Sequence, residues 1–257
     1  MEKEKTIYEF ESDLISEYYS KLDRQGIGSP EMTCRALNFI DGLTEHSKIA
    51  DIGCGTGGQT MVIAQNTRGT ITGIDILPDF INILNNNAKK LDLQNRVNGI
   101  VASMDKLPFH SEEFDLIWCE GSIYSIGFER GLSEWRKYLK KNGFIAVTDA
   151  SWFTEKRPSE IEDYWTHHYP GITTISNNID IMQKSGYIPI SVFTLPENCW
   201  TDNYFTPQIP VQKEFLMKYS ANKTVEEFVE GCRHEEKMYH EYKEYYGYVF
   251  YIGKRRF

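Results

Sequence analysis

The chain has 257 residues, 40% of them hydrophobic and 25% charged. That balance excludes wholesale disorder, and the length suffices to bury a core without metal or disulfide staples. Its 37 acidic residues against 28 basic ones leave a formal net charge of −9, which argues against a protein built to grip nucleic-acid backbones. The one dense basic run, Lys254-Arg255-Arg256, reads as a solvated tail. No apolar run approaches the ~20 residues of a membrane span. The charged start Met1-Glu2-Lys3-Glu4-Lys5 leads into no apolar stretch, so neither membrane insertion nor a signal peptide is expected. Five cysteines (34, 54, 119, 199 and 232) form no C-x-x-C pair. Their odd number and spread favour a reducing, cytoplasmic setting over a disulfide or zinc framework. The histidines form no H-E-x-x-H, and no metal is expected.

In chain order, helical spacing covers 9–21 and 30–42, the second with Ser29 as N-cap and Pro30 at its first position. Short apolar runs then alternate with amphipathic stretches. Strands are expected over 48–52, 70–75, 96–102, 114–119 and 144–148, with helices over 57–66, 78–91 and 129–139. The Asn142-Gly143 pair is read as the turn that ends the last of these helices. Five-residue strands alternating with ten-residue helices indicate βαβ units and a parallel sheet covered on both faces. Beyond Thr148 the rhythm breaks. Residues 151–169 are rich in aromatics and charge. A helix over 174–184, a strand over 187–195, a helical region over roughly 211–245 and a final strand over 248–252 follow. The last two strands are expected to pair antiparallel.

The most informative stretch is Asp51-Ile52-Gly53-Cys54-Gly55-Thr56-Gly57-Gly58-Gln59, a strand that runs into a glycine loop and opens a helix. Such a loop lets backbone approach a nucleotide closely. Gly53, Gly55 and Gly58 satisfy G-x-G-x-x-G, a weak signal alone, and two acids sharpen it. Asp51, at the end of the strand, would repel a dinucleotide's pyrophosphate but favour the sulfonium and ammonium of S-adenosylmethionine. Asp75 closes the next strand, where an acid can accept both ribose hydroxyls.

Over roughly 48–150 the sequence resembles the class I S-adenosylmethionine-dependent methyltransferases, in particular the small-molecule group like the ubiquinone/menaquinone-biosynthesis enzymes. The matching segments, in order, are Asp51-Ile52-Gly53-Cys54-Gly55-Thr56-Gly57, Gly73-Ile74-Asp75, Asp105-Lys106-Leu107-Pro108-Phe109, Phe114-Asp115-Leu116-Ile117 and Leu139-Lys140-Lys141-Asn142-Gly143-Phe144. The family usually has Pro-Gly where this chain has Asn142-Gly143. The resemblance implies an α/β fold: a Rossmann-like, doubly wound, mostly parallel seven-stranded sheet with an antiparallel last strand and helical cap insertions. It implies one methyltransferase domain over 1–257, with a helical cover at 1–47, a cofactor core at 48–150, and cap insertions at 151–172 and 201–246. It also implies that Asp51 and Gly53 hold the methionine end of the cofactor, with Cys54, Gly55, Thr56, Gly57 and Gln59 among the cofactor-binding residues. Asp75 would bind the ribose, Ile76 would pack on the adenine, the Met104 backbone would touch the ring, and Asp105 would accept its amine. Gln25 and Ser29, in a polar, glycine-rich loop before a helix, would face the methionine carboxylate, and Glu120 would lie under the methionine moiety.

Methyl transfer from a sulfonium is an in-line displacement, so much of the enzyme's contribution can be orientation. A general base is needed only where the acceptor must lose a proton. Glu120, Tyr124, His167 and His168 are the candidates, and no residue is assigned as catalytic. The aromatics around 124 and 151–169 suit an apolar or cationic small acceptor. The expectation is therefore methyl transfer to a small molecule, giving S-adenosylhomocysteine. A non-catalytic S-adenosylmethionine-binding module and an NAD-dependent oxidoreductase are the alternatives. Residues 1–28 and 151–169 are expected to form a mobile cover.

Overall fold

The computed structural model describes residues 4–256. The N-terminal segment supplies α1 (Ser12–Tyr19) and α2 (Pro30–Leu37). Ser29 caps α2 as the sequence suggests, its hydroxyl accepting from the Met32 N–H at 3.3 Å. The alternating unit follows: β1 (Lys48–Ile52), α3 (Gly58–Asn66), β2 (Thr70–Asp75), α4 (Pro78–Lys90) and β3 (Val97–Val101). Next come β4 (Phe114–Cys119), α5 (Phe128–Trp135) and β5 (Leu139–Trp152). The C-terminal third holds α6 (Ser159–His168), β6 (Thr173–Thr174), α7 (Ile175–Lys184), β7 (Tyr187–Thr194), α8 (Thr206–Lys218), α9 (Lys223–Tyr242) and β8 (Tyr246–Arg255).

The strands lie in the order β3-β2-β1-β4-β5-β8-β7, with two-residue β6 attached to β5. That is the expected seven-strand path plus one short strand. The pairings from β3 to β5 are parallel, and β8 alone runs against its neighbours, antiparallel to both β5 and β7. The central strands read as nearly unbroken apolar runs because both faces are buried. Alternate residues diverge to opposite sides. Ile49, Leu116, Trp118 and Ala146 join one core, while Ala50, Ile117, Ile145 and Val147 join the other. A third core lies away from the sheet. Tyr18, Tyr19 and Leu22 pack there against Val211, Phe215, Val225, Phe228 and Val229, so the N-terminal segment and the α8–α9 insertion form one cap with its own apolar interior.

The structure departs from the sequence reading in several places, the basic run among them, since Lys254 and Arg255 close β8. The Asn142-Gly143 pair is not a helix-to-strand turn but a kink inside β5. α5 ends at Trp135, a tight turn covers Arg136–Tyr138, and the strand starts at Leu139. Asn142 takes φ 63°, and the β4–β5 register jumps across it, because an amide side chain tolerates the left-handed conformation a bulge requires. The irregular stretch after β5 contains helix α6. Finally, the helical region expected over 211–245 is two helices, and α9 is capped by Asn222, whose side chain accepts from the Thr224 and Val225 N–H groups.

Candidate cofactor cleft and adjoining chamber

A cleft of about 420 Å³ opens beyond the carboxyl ends of β1, β2 and β4, where the strand order reverses and ligands of open α/β sheets bind. Its floor is the glycine loop. Gly53 and Gly55 take φ +71° and +55°, and a Cβ on either would overlap a neighbour, Ser122 Oγ at Gly53 and Gln25 Oε1 at Gly55. The backbone path is thus open only to glycine.

Asp75 stands at the rim. Its Oδ2 accepts from Gly55 N–H and its Oδ1 from Leu77 N–H, each at 3.0 Å. Burial raises this carboxyl above its ordinary value, against those backbone bonds. Each oxygen keeps a lone pair for a further donor. Next to it Ile76 is 65% exposed and lines the cleft, an apolar side chain with its face open. Met104 and Asp105 complete this end. Trp135 Nε1 donates to the Met104 carbonyl at 3.3 Å, and Arg130 pairs with Asp105 at 2.7 Å.

At the other end the N-terminal segment is fastened onto the loop. The Gln25 amide donates to Leu22 O at 2.7 Å and to Thr56 Oγ1 at 2.9 Å, and its oxygen accepts from Thr56 N–H at 2.9 Å. Arg24 Nη1 pairs with Glu120 Oε2 at 2.7 Å. Glu120 Oε1 accepts from Thr33 Oγ1 at 2.7 Å and Trp118 Nε1 at 2.9 Å. Both oxygens of Glu120 are therefore engaged, which fits a strut between cap and sheet better than a general base.

Several residues assigned from sequence sit elsewhere than at the ligand surface. Asp51 is fully buried behind the loop, bonded by Thr60 Oγ1 at 2.6 Å and Gln59 Nε2 at 3.4 Å. Burial pushes it up to about 7, so it supports the loop through Gln59, whose side chain does line the cleft. Thr56 and Gly57 also lie beneath the surface, and Ser29 is the buried cap of α2. His167 is bound outside the cleft, its Nε2–H donating to the Glu4 carbonyl at 2.7 Å. Gln25, Gly53, Cys54, Gly55, Gln59, Asp75, Ile76, Met104, Asp105 and Glu120 are brought together around the cleft. Arg24, Tyr8 and Tyr204 join them there without having been singled out. For Arg24 the signal was present, as the one cation in the polar loop before α2.

Behind Gly26, Gly121 and Tyr124 the cleft shares walls with a second chamber of about 140 Å³. Tyr164, Trp165, His168 and Tyr169 come from α6 and its end, Phe228, Cys232 and Glu235 from α9, and Tyr248 from β8. Tyr124 stands at the junction, with Tyr8 and Tyr169 rings 6.3 and 6.0 Å from its own. Of the four candidate bases, Tyr124 and Glu120 thus reach the cleft, and His168 reaches only the chamber. Among the described residues no group of three or more His, Cys, Asp or Glu side chains is arranged to hold a metal ion, and no helix is long and apolar enough to cross a membrane.

The architecture and the glycine-loop cleft define a methyltransferase-type α/β protein. The chain belongs to the methyltransferase domain family, whose model matches residues 43–204. Among curated proteins it is similar to phosphoethanolamine N-methyltransferase of Plasmodium falciparum, 28% identical over 62% of this chain and 60% of that protein. The match spans about half the length of the curated relatives, at 47%, 60% and 39% for three of them. A SAM-dependent methyltransferase from Geobacter sulfurreducens, solved with S-adenosyl-L-homocysteine, superimposes with TM-score 0.83 at 16% identity over 96% of this chain and 99% of its own. The cyclase SpnF superimposes with TM-score 0.76 at 17% identity, covering 95% and 93%. At such identities the likeness is one of fold.

Proposed function

We propose that the protein transfers the methyl group of S-adenosylmethionine to a small-molecule acceptor and releases S-adenosylhomocysteine. The observation that carries this reading is the rim of the cleft. A carboxylate with both oxygens pre-oriented by backbone amides stands beside an exposed isoleucine, above a loop only glycine can form. That set suits a ribose next to an adenine. In this reading Asp75 accepts the ribose hydroxyls, Ile76 packs on the base, and the Met104–Asp105 backbone and side chains edge it. Gln59, Gly53 and the Arg24–Glu120 pair surround the methionine end. The bound cofactor supplies an electrophilic methyl group. The protein's part is to hold the acceptor in line with it and to exclude water by means of the cap. Residues 1–47 and the insertions at 151–172 and 201–246 serve as that cap, around the core at 48–150. The net negative charge and the small chamber favour a small acceptor over a nucleic acid.

Titration calorimetry tests the cofactor assignment. S-adenosylhomocysteine is expected to bind far more tightly than NAD, and the reverse order would return the oxidoreductase reading. A second reading deserves a test because a cyclase shares this fold: the cofactor binds and no methyl group moves. Labelled S-adenosylmethionine with a metabolite extract separates the two. A labelled small molecule supports transfer, whereas tight binding with no labelled product supports the second reading.

A further inference from the structure

The chamber behind Tyr124 is lined by a carboxyl with no cationic partner among the described residues. Glu235, on the inner side of α9, accepts from Tyr204 OH at 3.2 Å through Oε2. Among the described residues no Lys, Arg or His forms an ion pair with it. Burial, and the nearby charge of Glu4, push its carboxyl up to about 7, so a large share is ionised at neutral pH. Its charge in turn adds to the effect of burial in raising the phenols of Tyr19, Tyr124, Tyr164, Tyr204, Tyr246 and Tyr248. The carboxyl shares its chamber with the side chains of Tyr19, Tyr124, Tyr164, Tyr204 and Tyr248, and the indole of Trp165 lines the same space.

Aromatic faces attract cations and give nothing comparable to anions, and a half-buried carboxylate lacks only its counter-charge. The other charged groups on the wall are already paired within the protein. Glu4 is acidic and is bound to His234 Nδ1 at 2.7 Å and lies 3.7 Å from His168 Nε2. Lys5 pairs with Glu227 at 2.6 Å and rests over the Phe10 ring. A phosphate-bearing acceptor would meet two carboxylates here and no cluster of arginines. At about 140 Å³ the chamber is also smaller than the ~300 Å³ and upward typical of drug-sized ligands.

We propose that the chamber selects a small acceptor that binds through an ammonium group, with Glu235 as its counter-ion and the tyrosine and tryptophan faces around it; the methyl group goes to a neutral atom of that acceptor that keeps a lone pair, since the ammonium nitrogen has none. The proposal rests on the methyl-transfer reading and deepens it, making Glu235 a specificity-determining residue. Choline and its neutral isostere 3,3-dimethyl-1-butanol are suitable probes, titrated against protein saturated with S-adenosylhomocysteine and followed by tryptophan fluorescence and calorimetry. Choline is expected to bind roughly ten- to thirty-fold tighter than the alcohol. E235Q is expected to erase that preference and leave S-adenosylhomocysteine affinity unchanged. Equal binding of the two probes, binding of neither, or a preference that survives E235Q would overturn the proposal. Should E235Q fail to fold, Y164L keeps the carboxylate and removes a ring face. Its choline preference is expected to drop several-fold, and an unchanged preference would count against the cage. Failure of S-adenosylhomocysteine to bind at the outset would instead strike the cofactor reading.

Discussion

The cleft and the chamber beside it are built in opposite ways. The cleft takes its floor from short segments at the ends of neighbouring strands: 53–55 after β1, 74–77 at β2, 102–105 after β3 and 120–124 after β4. Backbone geometry does most of its work, through positive-φ glycines and the amides that orient Asp75. The chamber draws on α1, α6, α9 and β8, elements far apart in sequence, and side chains do its work. The contrast suggests a division of labour. A nucleoside cofactor is read by a rigid local loop, whereas an acceptor is read by whatever side chains a cap brings together, which can change without disturbing the sheet.

The largest expected effect falls on the loop. G55V should abolish binding of S-adenosylhomocysteine, because Gly55 has φ +55° and a side chain there would overlap the Gln25 carboxamide. Circular dichroism should still report a folded α/β protein. Wild-type affinity in a folded G55V protein would mean that the glycines serve packing and not the cofactor. D75A comes next. S-adenosylmethionine and S-adenosylhomocysteine share the ribose, so both should weaken by similar factors of roughly ten to a hundred, from the ~1.5–3 kcal/mol of a charge-assisted hydrogen bond. Unequal losses in calorimetry would place Asp75 near the sulfur instead.

The same contrast explains what could be read from sequence. β1, β2 and β4 have the expected bounds because their apolar runs are short, unbroken and closed by turn residues. The positions of the glycine loop and of Asp75 at the strand ends were legible because they follow from local spacing. Asp51 was placed at the loop, but its burial was not legible. Spacing gives a residue's position along a strand, and the Thr60 and Gln59 partners that turn its carboxylate inward come from the next helix. Glu235 carried no local signal. It sits among Glu and Lys residues on a long amphipathic helix, where an acid ordinarily faces solvent, and only the docking of α9 against the α6 aromatics encloses it. Arg24 and Glu120 are 96 residues apart, and no pattern within either segment announces their pairing.

A pH series sharpens the comparison, because both regions carry buried carboxyls. Burial raises Asp51 and Glu235 to about 7 and Asp149 to about 8, all above their unfolded values. Folding therefore takes up protons. The stability these groups contribute is complete below the unfolded values near 4 and is lost as pH rises through about 7 to 8. The melting temperature should accordingly fall between about pH 5.5 and pH 8.5. E235Q should reduce that slope, because the chamber's share no longer titrates, and leave the share of Asp51 and Asp149. A slope untouched by E235Q would mean that Glu235 is solvated when the protein is folded.

The smallest expected effect separates parts of the cap that the sequence treats alike, namely the two covers at 1–28 and 151–169. Residues 1–3 lie outside the described residues. From Tyr18 onward the N-terminal segment is anchored. Tyr18, Tyr19 and Leu22 are buried in the cap core, and Gln25 and Arg24 are bonded to the glycine loop and to Glu120. Residues 151–169 are anchored too, since Trp152, Ile161, Trp165 and Tyr169 belong to the main core. The stretch from Glu4 to Ile15 is different. Its residues are exposed or half-buried, and it is held by the Glu4 contacts to His167, His168 and His234 and by Tyr8 against Tyr124. Ile7, Tyr8 and Ile15 nevertheless line the cleft, so a bound cofactor would contact this stretch. Its apolar residues Ile7, Phe10, Leu14 and Ile15 pack only partly buried on the cap core, a looser anchorage than that of buried Tyr18, Tyr19 and Leu22. Hydrogen exchange with and without S-adenosylhomocysteine should therefore slow in residues 4–15 on binding. Residues 18–28 and 151–169 should be protected in both states. Strong protection of 4–15 in the free protein would make this stretch a fixed wall, and ligand-dependent protection of 151–169 would restore the two-sided cover.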